Sequence, residues 1–228
     1  MEHHKKEITG GLLADIVLGG QDGVVNVLGI TLAIATATNS NKVVLIAAIA
    51  ALFAESISMA AVAYTSTKAL RDYHKSQVEK EKWEIKNIPK EEEREIRDIY
   101  QKKGFKGNLL RKIVKQVTSR KRMWLDVMIT DELGLPKREM RNPVRSAAVV
   151  GFASVIGSFI PIIPFIFLPV RTSIWATVIL CSIILFFAGA FKARVTIGDW
   201  RKEGMVMVAV GLSAAIIGYV IGYLLGKI

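Results

Sequence analysis

Three side chains lie where an apolar stretch would not ordinarily hold them. Asp15 and Asp22 interrupt the hydrophobic run 12–37, and Glu55 interrupts the run 43–67, with Met59 four residues after it. An ionisable group in such a run costs on the order of several kcal/mol unless it is paired, hydrated or bound to an ion. Asp22 is about ten residues into its run; at 1.5 Å per residue it is roughly 15 Å deep, near the middle of a bilayer core ~30 Å thick. Asp15 lies two turns earlier on nearly the same face, and Glu55 and Met59 share a face one turn apart. Neither run contains Lys or Arg, so an ion pair within these two segments is excluded. Carboxylates joined by a thioether suit a soft-to-borderline divalent ion, whereas oxygen ligands alone suit Mg²⁺ or Ca²⁺ better.

A second acidic group lies in the polar middle of the chain. Glu81 and Glu84 stand three residues apart, as do Glu92 and Glu95, while Met128 and Glu132 stand four apart. Each pair falls on one helical face. Solvated charged helices show the same spacings, so the pattern by itself leaves metal binding and a plain solvent face both open.

The elements that must position these residues follow from segregation of charge. The chain has 228 residues, 51% hydrophobic and 22% charged, with a net charge of +11. Residues 69–142 hold 20 Lys/Arg and 13 Asp/Glu; all the others together hold 11 and 7. Five apolar runs have the length of a membrane-spanning helix: 12–37, 43–67, 144–168, 173–191 and 204–225. No β pattern is evident, and an open sheet in lipid would leave backbone groups unpaired. The expected fold is all-α: transmembrane helices 1–2 in 1–68, a cytosolic three-helix domain in 69–142, and transmembrane helices 3–5 in 143–228.

Within the insert, residues 69–85 extend helix 2. Pro89 followed by Glu91, Glu92 and Glu93 marks a helix start, with its end near Gly104. A last helix over 109–133 stops at Gly134, with Pro136 beyond. Lys5, Lys6, the insert, Lys192, Arg194, Arg201 and Lys202 alternate with poorly basic turns holding Lys42, Arg171 and Lys227. The N-terminus and insert are therefore expected on the cytoplasmic side. No cleavable signal peptide is expected, because the start is polar and the run after it too long.

Composition also excludes several functions. Positive charge on cytoplasmic segments has a topological origin, so the basic balance does not call for nucleic acid as a partner. The single cysteine, Cys181, rules out an intrachain disulfide and a cysteine-rich metal site. His3, His4 and His74 are scattered, and no nucleophile–base pair or cofactor loop is present, so no enzyme is expected. Gly19, Gly20, Gly23 and Gly29 permit either close helix approach or a local bend.

These residues resemble the vacuolar iron transporter family. The run from Asp15 to Asp22-Gly23 is similar to the family's first-helix signature, and Ile57-Ser58-Met59 followed by Tyr64 to its second. The Glu-rich insert with Pro89 at its corner, Trp124-Leu125-Asp126-Val127-Met128 and Glu132-Leu133-Gly134-Leu135 resemble its metal-binding domain. The run Gly157 to Pro164, with Pro161 within it, resembles its third helix. The resemblance spans nearly the whole chain in order. It implies a homodimeric metal/proton antiporter moving Fe²⁺ or Mn²⁺ out of the cytosol, with Zn²⁺ a further ion it could bind. It assigns metal binding to Glu81, Glu84, Glu92, Glu95, Met128 and Glu132, and the transport pathway to Asp22 and Met59. Asp15 and Glu55 join that pathway on their depth and face. Where the family carries a pathway glutamate two turns before the methionine, this chain has Ala51, with Glu55 one turn nearer. Ile129 stands where the family often has a second methionine. The membrane is a cell membrane in a prokaryote and the vacuolar membrane in a eukaryote. The competing expectation is a membrane-anchored storage protein whose spans only tether the insert.

Overall fold

The computed structural model describes residues 2–135, 141–195 and 198–227, with side chains from Gly11 onward. Pro136 and the side chains of His3, His4, Lys5 and Lys6 lie outside the described residues. The described elements are all helical, and five helical stretches are long and apolar enough to cross a membrane: Gly11–Thr38, Asn41–Asn87, Pro143–Phe167, Val170–Val195 and Trp200–Leu225. The chain divides into two compact units, Met1–Thr65 with Pro143–Ile228, and Ser66–Asn142.

In the first unit, α1 (Glu2–Thr38) is the central helix, packed against α6 (Pro143–Phe159), α8 (Val170–Val195) and α9 (Trp200–Leu225). Lipid tails are as apolar as leucine, so such helices associate through close packing and polar contacts rather than the hydrophobic effect. Glycine makes this approach possible. A Cβ on Gly19 would collide with the Val150 carbonyl of α6, and one on Gly23 with the Ser154 carbonyl and the Ser158 hydroxyl. Since α1 runs unbroken through both positions, these glycines serve close approach rather than a bend.

The third span is not one uninterrupted helix. α6 gives way to a 3₁₀ turn (Ile160–Ile162) and then to α7 (Ile163–Phe167). Pro161 and Pro164 remove backbone donors and so free carbonyls upstream. Hydroxyls of α8 contribute donors at this break. Thr177 donates to the Pro161 carbonyl at 3.2 Å, and Ser173 donates to those of Pro164 and Leu168 at 3.0 Å. These bonds tie the broken segment to α8, and the Pro164 carbonyl also accepts from the Leu168 amide at 2.9 Å.

α2 (Asn41–Asn87) follows α1 through a two-residue turn in which Asn39 takes a left-handed φ of 50°, a conformation that asparagine tolerates better than most residues. At 47 residues α2 is about 70 Å long, more than twice the bilayer core. Its first half is apolar and joins the bundle through Val44, Ala48 and Leu52. Its second half is charged and belongs to the other unit.

That second unit adds α3 (Pro89–Lys102), α4 (Gly107–Thr118), α5 (Lys121–Val127) and a π-helical turn (Met128–Glu132). Its core gathers Ile85, Ile96, Leu110, Val114, Val117, Trp124, Val127 and Met128. The final helix expected over 109–133 is instead split at Ser119–Arg120. The Thr118 and Ser119 hydroxyls donate to the carbonyls of Val114 (3.0 Å) and Gln116 (2.8 Å). Arg120 then turns extended, at φ −126° and ψ 105°. Hydroxyl side chains that compete for backbone groups end a helix in this way. Gly104 and Gly134, expected as stops, both have left-handed φ, 95° and 63°.

Candidate functional site

The deep acids of the bundle are partnered. Asp22 on α1 reaches Glu55 on α2 within hydrogen-bonding distance. The Asn26 amide, one turn beyond Asp22, donates to Glu55 Oε1 at 2.9 Å. Asp22 and Glu55 are both half-buried, and Met59 is half-buried one turn further along α2 on the Glu55 face. The α1–α2 seam therefore joins two carboxyls, an amide and a nearby thioether. Asp15 is engaged differently. It is only 6% exposed and accepts a hydrogen bond from the Ser146 hydroxyl of α6 at 2.9 Å. Further along the same α6 face, the Ser154 and Ser56 hydroxyls meet at 3.3 Å.

Asn26 and these serines were not among the residues singled out from sequence. Asn26 carried a usable signal, a polar amide at i+4 from Asp22 within an apolar run. The serines carried none, because small hydroxyls are common in spans and their partners lie on another helix.

The second unit brings five carboxyls into one neighbourhood. Glu81 and Glu92 are each 2% exposed, and one oxygen of each, Oε2, is buried without a hydrogen-bond partner. Burial pushes the Glu92 carboxyl up to about 7, helped by Glu95, Glu81, Glu84 and Glu132. Glu132, although exposed on its outer side, is raised to about 7 by partial loss of hydration and then by Glu95, Glu81 and Glu84. Glu81 is raised by burial and by Glu84, partly opposed by Lys80. Glu84 itself pairs with Lys80 at 3.5 Å. Burial favours the neutral acid, and each neighbouring carboxylate adds to the effect.

Among the described residues, no three His, Cys, Asp or Glu side chains are grouped so as to hold a metal ion outright. The five glutamates are thus a shared acidic neighbourhood rather than a preformed chelate. The orphaned oxygens of Glu81 and Glu92 are nonetheless the acceptors a cation would satisfy. Met128 is fully buried in the unit's apolar core. Glu132 closes the π turn, where the Leu133 amide donates to the Met128 carbonyl at 3.1 Å. The i, i+4 relation read for Met128 and Glu132 assumed an α-helix; a π turn widens the ring and alters that face.

Two kinds of likeness to known proteins bear on this sequence. The sequence matches the VIT family over residues 13–223. It is 31% identical over 197 residues to vacuolar iron transporter 2 of Oryza sativa subsp. japonica, covering 86% of this chain and 80% of that one. It is 30% identical over 199 residues to vacuolar iron transporter 1 of Arabidopsis thaliana, with the same coverage of 86% and 80%. It is also 30% identical over 223 residues to the vacuolar iron transporter of Plasmodium falciparum (isolate 3D7), covering 93% and 82%.

Proposed function

The chain belongs to the VIT family, and from that premise we propose that it carries a divalent metal across the bilayer in exchange for protons. Fe²⁺ is the first cargo, supported by relatives named as iron transporters; Mn²⁺ is a second. The observation that carries this reading is the Asp22–Glu55 pair with its Asn26 donor, set in spans without a Lys or Arg to neutralise it. Two carboxyls in hydrogen-bonding reach share a proton or, once deprotonated, hold a divalent cation. Metal binding then releases protons, which is the chemical requirement of antiport. Met59 offers a polarisable sulfur one turn away, which favours a borderline ion over Mg²⁺ or Ca²⁺. Glu55 takes the role of the carboxylate absent at Ala51.

In this reading, the glutamates of the insert collect the ion on the cytoplasmic side and raise its concentration near the pathway. The Lys/Arg distribution supports that orientation, and export from the cytosol rests on the family resemblance. The chain works as a homodimer with the α1–α2 seam of each subunit along the pathway. The vacuolar membrane is the setting in a eukaryote, the cell membrane in a prokaryote. A tethered storage protein would have no use for a carboxyl pair at this depth.

The test is Fe²⁺ entry into proteoliposomes holding a fluorescent reporter, with and without a pH gradient. The native chain is expected to move metal and dissipate the gradient, and Asp22→Asn to fall to background. Undiminished flux through Asp22→Asn would remove the pair from the pathway.

A further inference from the structure

The acidic neighbourhood does not account for why the insert is basic. Residues 102–122 contain nine Lys/Arg and no Asp/Glu, whereas the rest of 69–142 holds 11 Lys/Arg against 13 Asp/Glu. The positive charge of the unit is therefore concentrated in α4 and its flanks.

All nine cations, Lys102, Lys103, Lys106, Arg111, Lys112, Lys115, Arg120, Lys121 and Arg122, are exposed. Only Lys103 has a carboxylate partner among the described residues, Asp131 at 2.7 Å. On α4 the polarity is sharp. Leu110, Val114 and Val117 turn into the core, while Arg111, Lys112 and Lys115 occupy the opposite face. Two large apolar side chains stand exposed among these cations: Leu109, 56% exposed, and Met123, 37% exposed.

We propose that the α4 face and its flanks form a docking surface for the anionic phospholipid headgroups of a membrane leaflet. A polybasic helix carrying a few exposed apolar side chains is the pattern of an interfacial helix. The cations supply attraction to acidic lipid, and the apolar groups enter the headgroup boundary. Exposed apolar side chains such as Leu109 and Met123 favour a headgroup boundary over nucleic acid, since they neither stack on bases nor read them. The unit is also continuous through α2 with a membrane-spanning helix, so it belongs to a chain anchored in a bilayer. This inference stands apart from the transport reading; it uses none of the carboxyls of either site.

The test uses the full chain in lipid nanodiscs, with Leu109→Cys carrying a polarity-sensitive fluorophore and Cys181→Ala preventing background labelling. In discs with acidic phospholipid the fluorophore is expected to shift to the blue and to be quenched by headgroup-level nitroxide lipids. In purely zwitterionic discs, or in high salt, both signals should vanish. Arg111→Glu, Lys112→Glu and Lys115→Glu together should reduce the headgroup quenching in acidic discs by on the order of tenfold or more. Arg111→Gln, Lys112→Gln and Lys115→Gln should give a smaller loss in the same direction, and unchanged helical circular dichroism should show that the fold is intact. Equal fluorescence in acidic and zwitterionic discs overturns the proposal. So does binding of an RNA oligonucleotide through the same cations with no lipid response.

Discussion

The two acidic regions of this molecule treat their carboxyls in opposite ways. In the bundle, Asp22 lies against Glu55, Glu55 accepts from Asn26, and Asp15 accepts from Ser146. In the insert, Glu81 and Glu92 are almost wholly buried, and each leaves an oxygen unsatisfied beside other glutamates. Glu55 and Asp15 are held by donors from neighbouring helices, while Asp22 against Glu55 needs one shared proton or a cation between the two carboxyls. Crowded, unpartnered ones are raised in energy until a proton or cation relieves them. In the proposed reading the bundle is then a defined station, and the insert an acidic reservoir whose charge state follows the medium.

The strongest way to break this comparison is flux. Asp22→Asn should abolish Fe²⁺ transport in proteoliposomes, whereas Glu81→Gln with Glu92→Gln should only slow it at low external metal. Equal losses would mean that the two regions are not distinct in role. Metal affinity of the detergent-solubilised full chain should divide the other way. The Glu81→Gln, Glu92→Gln variant is expected to bind at least about tenfold more weakly by calorimetry, because the hard anionic ligands are removed.

The protonation of the reservoir gives a third, intermediate effect. Glu92 and Glu132 titrate near about 7 in the folded chain, against an ordinary value of 4.5. Below 4.5 both are neutral folded or unfolded and cost nothing. As pH rises from there through about 7, the folded state loses stability, because it resists an ionisation that the unfolded chain accepts. Metal affinity should run in the opposite sense and fall as pH drops below about 7, since the ion must displace protons. Glu92→Gln should accordingly raise the metal-free melting temperature at pH 8 and blunt the further rise on adding metal. A melting temperature independent of pH from 5 to 8 would contradict the reservoir picture. The smallest effect concerns Asp15. Ser146→Ala removes its hydroxyl donor and should cost about 1–3 kcal/mol in thermal unfolding, with flux largely kept.

How much of this could be read in advance depended on whether the cause was local. The five spans were visible because twenty apolar residues in a row have few other fates. Asp22 and Glu55 stood out because a carboxyl at that depth needs a reason. The partners were less legible. Asn26 and Ser146 matter only through side chains on other helices, 29 and 131 residues away in sequence. The division of the last insert helix was local, yet Thr118 and Ser119 were outweighed by the apolar periodicity around them. Spacing put Glu81 with Glu84 and Glu92 with Glu95, but it could not say that one member of each pair would be buried. That is a property of the Ile85–Ile96 core beneath them.

The backbone-to-backbone contact of α1 with α6 has a mechanical consequence. Where α1 glycines meet the Val150 and Ser154 carbonyls of α6, few bulky side chains stand between the helices, and the Asp15–Ser146 bond pins them further, so this contact is stiff toward sliding. The α1–α2 seam is made of side chains instead: Asp22 and Asn26 against Glu55, and Val27 in one cluster with Leu52. A movement that parts Asp22 from Glu55 would have to separate α2 from α1 and also from α6, where the Ser56 and Ser154 hydroxyls meet.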